Sequence, residues 1–231
     1  MSGLRKVVEP EVFADAAAAW IREKIDAVLA HDQRCSLMLA GGNTPLPVYE
    51  RLAADSDIPW QRITVFFGDE RCVPPLTPEN NAHSVLGRLF PLGVPAGVTV
   101  HRMCGEENPD QAAKEYESKL PERVDILLLG MGEDGHTASI FPGSVALDEE
   151  KRRVMPVIGS KPPLQRLTIT PPVIRGARHL LVMVKGEDKA DAVRWALGEG
   201  SVPASLAASG DWLLDREAAR AMMRQQEGIS T

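Results

Sequence analysis

The stretch that most constrains the fold is residues 124–143, V-D-I-L-L-L-G-M-G-E-D-G-H-T-A-S-I-F-P-G. Its apolar run, 126–129, is bounded by Asp125 and Gly130. So short a run without polar alternation reads as a strand covered on both faces, as in a parallel sheet. The glycines after it let the backbone turn tightly, and the loop presents the imidazole of His136 at the strand's carboxyl end. In open α/β sheets that edge is where ligands bind.

Gly130, Gly132 and Gly135 also spell G-x-G-x-x-G directly after a strand, the pattern of a dinucleotide fingerprint. Two features argue against that reading. Glu133 and Asp134 lie inside the loop, where their charge repels a pyrophosphate. Pro142 and Gly143 stop the helix that should follow.

Strands and helices alternate along the rest of the chain. Apolar runs and alternation predict strands over 35–40, 63–67, 98–101, 153–157, 166–170, 179–184 and 212–214. Helical spacing predicts helices over 13–30, 46–54, 110–120, 190–197 and 216–224, with a further one opened by Glu79, Asn80 and Asn81. The expected fold class is α/β, a doubly wound, mostly parallel sheet flanked by helices in the Rossmann-like manner. Without a composition break, linker or repeat, residues 1–231 are expected to form a single domain.

Three further stretches carry candidate chemistry. Gly41, Gly42, Asn43 and Thr44 follow a strand and precede a helix, with Pro45 suited to its first turn. Paired glycines let N–H groups converge, and a helix start favours an anion. No G-K-[ST] follows, so the expected ligand is a phosphomonoester and not a nucleoside triphosphate. Asp69, Glu70 and Arg71 come directly after a buried strand. They read either as a solvated loop with an internal ion pair or as a polar cluster aimed into the cleft of His136. Lys189 sits near a helix start, where the dipole disfavours a cation and a ligand phosphate would compensate it.

The net charge of −6 argues against nucleic acid or an anionic membrane as the main partner, while leaving room for a small anion. No apolar run approaches the ~18 residues that span a bilayer. Cys35, Cys72 and Cys104 form no C-x-x-C and read as reduced thiols in a cytoplasmic protein. Neither H-x-x-x-H nor H-E-x-x-H occurs, and no G-x-S-x-G elbow, so neither a metal nor a serine nucleophile is called for.

Together, L-A-G-G-N-T-P, F-F-G-D-E-R-C-V-P-P, I-L-L-L-G-M-G-E-D-G-H-T-A-S-I-F-P and R-L-T-I-T-P-P resemble the 6-phosphogluconolactonases over nearly the whole chain. Glucosamine-6-phosphate deaminases share the fold, but carry a tyrosine after the aspartate-glutamate pair and an asparagine and glutamate beyond their histidine. This chain has Arg71, Ile140 and Phe141 at those places. Asn43 departs from the family, where serine is more usual.

The resemblance implies hydrolysis of 6-phospho-D-glucono-1,5-lactone to 6-phosphogluconate, the hydrolytic step of the oxidative pentose phosphate pathway, in the cytoplasm and without a cofactor. The alternatives are a phosphosugar deaminase or isomerase and a non-catalytic sugar-phosphate sensor. The expected partner is a small phosphosugar lactone, the chain being a monomer or weak homo-oligomer. In these terms His136 serves as base and then acid, and Arg71 steadies charge on the carbonyl oxygen. Asp69 orients His136 or binds a sugar hydroxyl, and Glu133 and Asp134 stay open as its partners. Gly41, Gly42, Asn43, Thr44, Arg166 and Lys189 hold the phosphate. All of these are expected at one rim of a single sheet.

Overall fold

The computed structural model describes residues 3–198 and 201–228. The chain runs β1 (Arg5–Val8), α1 (Phe13–Leu29), β2 (Cys35–Leu39), α2 (Leu46–Ala54), β3 (Ile63–Phe67), β4 (Asp69–Arg71), α3 (Asn81–Leu89) and β5 (Thr99–Val100). It continues through α4 (Pro109–Glu117), β6 (Ile126–Gly130), β7 (Val154–Ile158), β8 (Gln165–Ile169), α5 (Pro171–Gly176), β9 (His179–Val184), α6 (Ala190–Leu197), β10 (Asp211–Asp215) and α7 (Arg216–Gly228).

Seven strands form the main sheet in the order β1-β10-β9-β6-β2-β3-β5. Every neighbouring pair is parallel. The central strands show why their sequences are so apolar. Ile126 and Leu128 of β6 enter one core, and Leu127 and Leu129 the other. Leu37 and Leu39 of β2 face the first core, while Met38 faces the second. Side chains alternate across the pleat, so both faces must be covered. α1, α2 and α3 cover one face, through residues such as Ile21, Ile25, Tyr49 and Val85. α4, α6 and α7 cover the other, joined by the side chains of a smaller sheet.

That smaller sheet corrects two expectations. Residues 69–71 are not a loop but the short strand β4, which pairs antiparallel with β8, and β8 with β7. The candidate residues therefore do not rise from a single sheet. Arg71 and Arg166 belong to this three-stranded layer, whose Leu167, Ile169, Val154 and Val157 pack on the main sheet. Two elements went unread in the sequence. β1 is only four residues long, and α5 opens on the two prolines that end β8, where a missing N–H is harmless.

The order of strands fixes where a ligand can sit. β2 and β6 are neighbours, yet their successors leave in opposite directions, β3 and β5 one way and β9 and β10 the other. This is a topological switch point, and the crevice beyond the carboxyl ends of β2 and β6 is the expected binding position. Among the described residues no helix is long and apolar enough to cross a membrane.

Candidate active site

A cavity of about 290 Å³ opens at that switch point. Gly41, Gly42, Asn43, Thr44, Asp69, Arg71, His136, Arg166 and Lys189 all line it. Residues from five separate segments thus converge, and the local structure explains how each is held.

β2 ends at a clamp. The buried Tyr49 hydroxyl accepts from Ala40 N at 3.0 Å and donates to Ala40 O at 2.8 Å. The glycine turn begins one residue later. Gly42 has φ +90, a conformation that glycine adopts without strain. At Gly41 a Cβ would fall 2.1 Å from Asn81 Oδ1, so only hydrogen fits. Pro45 stands at the cap position of α2, one residue before the helix, and no side chain caps that helix start. Pro47 has no N–H, and Val48 N and Tyr49 N donate to Pro45 O at 2.9 and 3.1 Å, so of the first turn Leu46 N is left for a ligand, beside the N–H groups of the glycine turn.

β3 ends at a matching clamp. The Tyr116 hydroxyl accepts from Phe67 N at 2.7 Å and donates to Phe67 O at 2.8 Å. Two residues on, Asp69 is 8% exposed and accepts from Ser139 Oγ at 2.6 Å and from Asn81 Nδ2 at 3.2 Å. Arg71 donates through Nη1 to Glu79 O at 2.6 Å, and its buried Nε has no partner.

The register of β4 on β8 sets Arg71 directly across from Arg166. Like charges opposed across a strand pair destabilise a sheet. Arg166 is 7% exposed, and among the described residues neither guanidinium has a carboxylate within ion-pair distance. Arg166 instead donates to Pro163 O at 2.9 Å and Lys161 O at 3.0 Å. Burial, followed by the charge of Arg71, holds it below the usual arginine range, with Asp69 acting the other way. Lys189 enters from the segment after β9 and contacts Asp188 Oδ2 at 2.6 Å.

The histidine loop is compact. Thr137 Oγ1 donates to Gly130 O at 2.9 Å, and Gly132 N donates to His136 O at 2.9 Å. Gly135 takes φ +77. A Cβ on Gly132 would lie 2.1 Å from the His136 ring. The imidazole Nδ1 meets Asp134 Oδ1 at 2.5 Å, and His136 N also donates to that oxygen at 3.1 Å. Burial works to raise the Asp134 carboxyl, but the N–H and charge of His136 outweigh it and hold the group below the usual aspartate range. The imidazole also packs on Phe141 at 4.6 Å between centroids, and Arg166 lies 5.4 Å over the same ring.

One expected role is therefore reassigned. Asp69 does not orient His136, because Asp134 occupies Nδ1 and both Asp69 oxygens are engaged elsewhere. Glu133 pairs with Lys161 outside the cavity. Sequence reading missed Asn81, Ser139 and Phe141 as parts of the site. An asparagine at a helix start reads as a cap, and nothing local distinguishes this one. Among the described residues no group of three His, Cys, Asp or Glu side chains is placed to hold a metal.

The profile of a family described as glucosamine-6-phosphate isomerases/6-phosphogluconolactonase matches residues 8–214. The chain belongs to this family. Within the glucosamine-6-phosphate isomerase/6-phosphogluconolactonase family, a 6-phosphogluconolactonase of Synechocystis sp. is 33% identical, over 92% of this chain and 95% of its own. One from Streptomyces coelicolor is 36% identical, over 94% of this chain and 93% of its own. The crystal structure of a 6-phosphogluconolactonase from Thermotoga maritima has a TM-score of 0.84 and 29% identity, covering 92% of this chain and 99% of that one. A family member from Trypanosoma cruzi has a TM-score of 0.85 at 28% identity, covering 95% and 97%.

Proposed function

We propose that the chain hydrolyses 6-phospho-D-glucono-1,5-lactone to 6-phosphogluconate by direct attack of water, the hydrolytic step of the oxidative pentose phosphate pathway. The observation that carries the reading is the pair of unneutralised guanidiniums. Arg71 and Arg166 face each other across two strands in a chain of net charge −6. Such an arrangement is favourable only with anionic charge between or beside them. The relatives that bear the name 6-phosphogluconolactonase span nearly all of this chain and support the choice of substrate.

The phosphate is held by the N–H groups of the 41–44 turn and of Leu46, by Arg166 and by Lys189. This remote anchor orients the lactone over the other wall of the cavity. With Nδ1–H donated to Asp134, the neutral imidazole keeps Nε2 as its acceptor. Nε2 takes a proton from water as the oxygen bonds to the lactone carbonyl carbon. Arg71, which lines the cavity, steadies the oxyanion. Collapse of the tetrahedral species breaks the bond to the ring oxygen, which takes the proton back from Nε2. The product carboxyl then loses its proton to solvent. Asp69, with its oxygens fixed by Ser139 and Asn81, is left to accept from a sugar hydroxyl.

The test follows lactone disappearance at slightly acidic pH, where spontaneous hydrolysis is slow, with ammonia release from glucosamine 6-phosphate measured in parallel. Hydrolysis well above background with no ammonia is the expected outcome. Ammonia release with an intact lactone would overturn the reading in favour of the deaminase branch. Binding without turnover would point to a sensor.

A further inference from the structure

The middle residue of the aspartate-glutamate-arginine triplet takes no part in the reaction above. Glu70 is 1% exposed and turns away from the cavity into the protein. Its Oε1 accepts from Arg71 N at 2.8 Å and Asn81 N at 2.7 Å, and its Oε2 from Ala82 N at 2.8 Å. Asn81 and Ala82 open α3, so this one carboxylate closes the 72–80 loop back onto β4. Both ends of the closure carry cavity side chains. Arg71 reaches Glu79 O, and Asn81 Nδ2 reaches Asp69 O at 3.1 Å and Asp69 Oδ1 at 3.2 Å.

We propose that Glu70 is a positioning residue, whose grip on the main-chain N–H groups of Arg71, Asn81 and Ala82 sets the Arg71 guanidinium and the Asn81–Asp69 pair in the cavity of His136. The helix start does not need an ion for its own sake. Asn80 already caps it, accepting from His83 N at 2.9 Å. Burial pushes the Glu70 carboxyl up to about 7, Asp69 acts in the same sense, and the three N–H bonds pull it down. A carboxylate kept there against its desolvation cost is explained by what it holds in place. Three charge-assisted bonds from two segments define the geometry more tightly than a neutral cap could.

The kinetic arm of the test rests on the lactonase reading, and the spectroscopic arm does not. Glu70→Gln is compared with Asn80→Ala, which weakens the same helix start without touching Arg71 or Asn81. Glu70→Gln is expected to lower kcat/KM about tenfold, mainly in kcat because the phosphate anchor is elsewhere, while Asn80→Ala at a comparable loss of Tm stays within about twofold of the parent. Unchanged turnover in Glu70→Gln, or an equal loss in Asn80→Ala, would overturn the proposal. A parent chain that leaves the lactone intact sinks the lactonase reading alone. Glu70 is then judged on the Arg71 Nε–H resonance by nitrogen-15 NMR. Displacement in Glu70→Gln but not in Asn80→Ala supports it, and a resonance unmoved in Glu70→Gln refutes it.

Discussion

At the scale of single residues, the site depends on one imidazole held from behind. His136→Ala should lower kcat by about 10²–10⁴-fold, the usual contribution of a general base, with KM changed little. Steady-state kinetics on the folded variant checks this. Gly132→Ala tests the same ring without removing it. Its Cβ would overlap the imidazole, so turnover should fall while circular dichroism stays that of the parent. Asp134 adds a pH signature. Its carboxyl is depressed in the folded state, so its stabilisation is present above the ordinary aspartate value of about 3.9 and is lost as pH falls through the lower folded value. The parent should therefore exceed Asp134→Asn in Tm at pH 7, with the gap closing in acid. A gap that persists below the folded value of Asp134 would contradict the assignment. Of these residues His136 was legible in the sequence, because a loop histidine among glycines after a buried strand has few structural uses. Its partner was not, since Asp69, Glu133 and Asp134 are all carboxylates within chain reach and only coordinates decide among them.

At the scale of elements, the site is a set of strand ends under tension from their neighbours. The two tyrosines of the chain occupy equivalent posts, each binding both main-chain groups of the residue that ends or follows a strand. Tyr49→Phe leaves a buried N–H and C=O at Ala40 unpaired, which costs roughly 1–3 kcal/mol in stability. It should also weaken phosphate affinity, because Ala40 leads directly into the glycine turn. Denaturant titration and isothermal calorimetry with 6-phosphogluconate would show the two effects together. Apolar runs and glycine punctuation made β2, β3, β6 and β9 readable, since a strand buried on both faces has little compositional freedom. β4 was not readable. Three consecutive charged residues carry no strand signal, and they form one only because β8, about a hundred residues later, supplies the partner.

At the scale of the whole molecule, the cavity lies where a seven-stranded sheet and a three-stranded layer meet. An anion bound there neutralises repulsion between Arg71 and Arg166 and should raise Tm. At about 100 times its Kd, a ligand specific to the folded state adds about 2.7 kcal/mol. Arg166→Met should abolish most of that gain, while the ligand-free Tm changes little, because relief of the buried like-charge opposition offsets the lost bonds to Pro163 O and Lys161 O. A thermal melt with and without 6-phosphogluconate distinguishes this from simple destabilisation, in which both melts would drop. The sequence motifs foretold that these residues gather, but not that two sheets supply them. Pairing partners far apart in the chain leave no mark in local periodicity.

The position of β6 in the sheet has a bearing on biosynthesis. One of its flanking strands, β2, emerges from the ribosome before it, and the other, β9, more than forty residues after it. Until β9 arrives, a leucine-rich edge stays open and invites intermolecular pairing. The same delay withholds Lys189, so a nascent chain that already has its glycine turn and its histidine would still be without a complete anion seat, and catalytic competence would be among the last properties acquired.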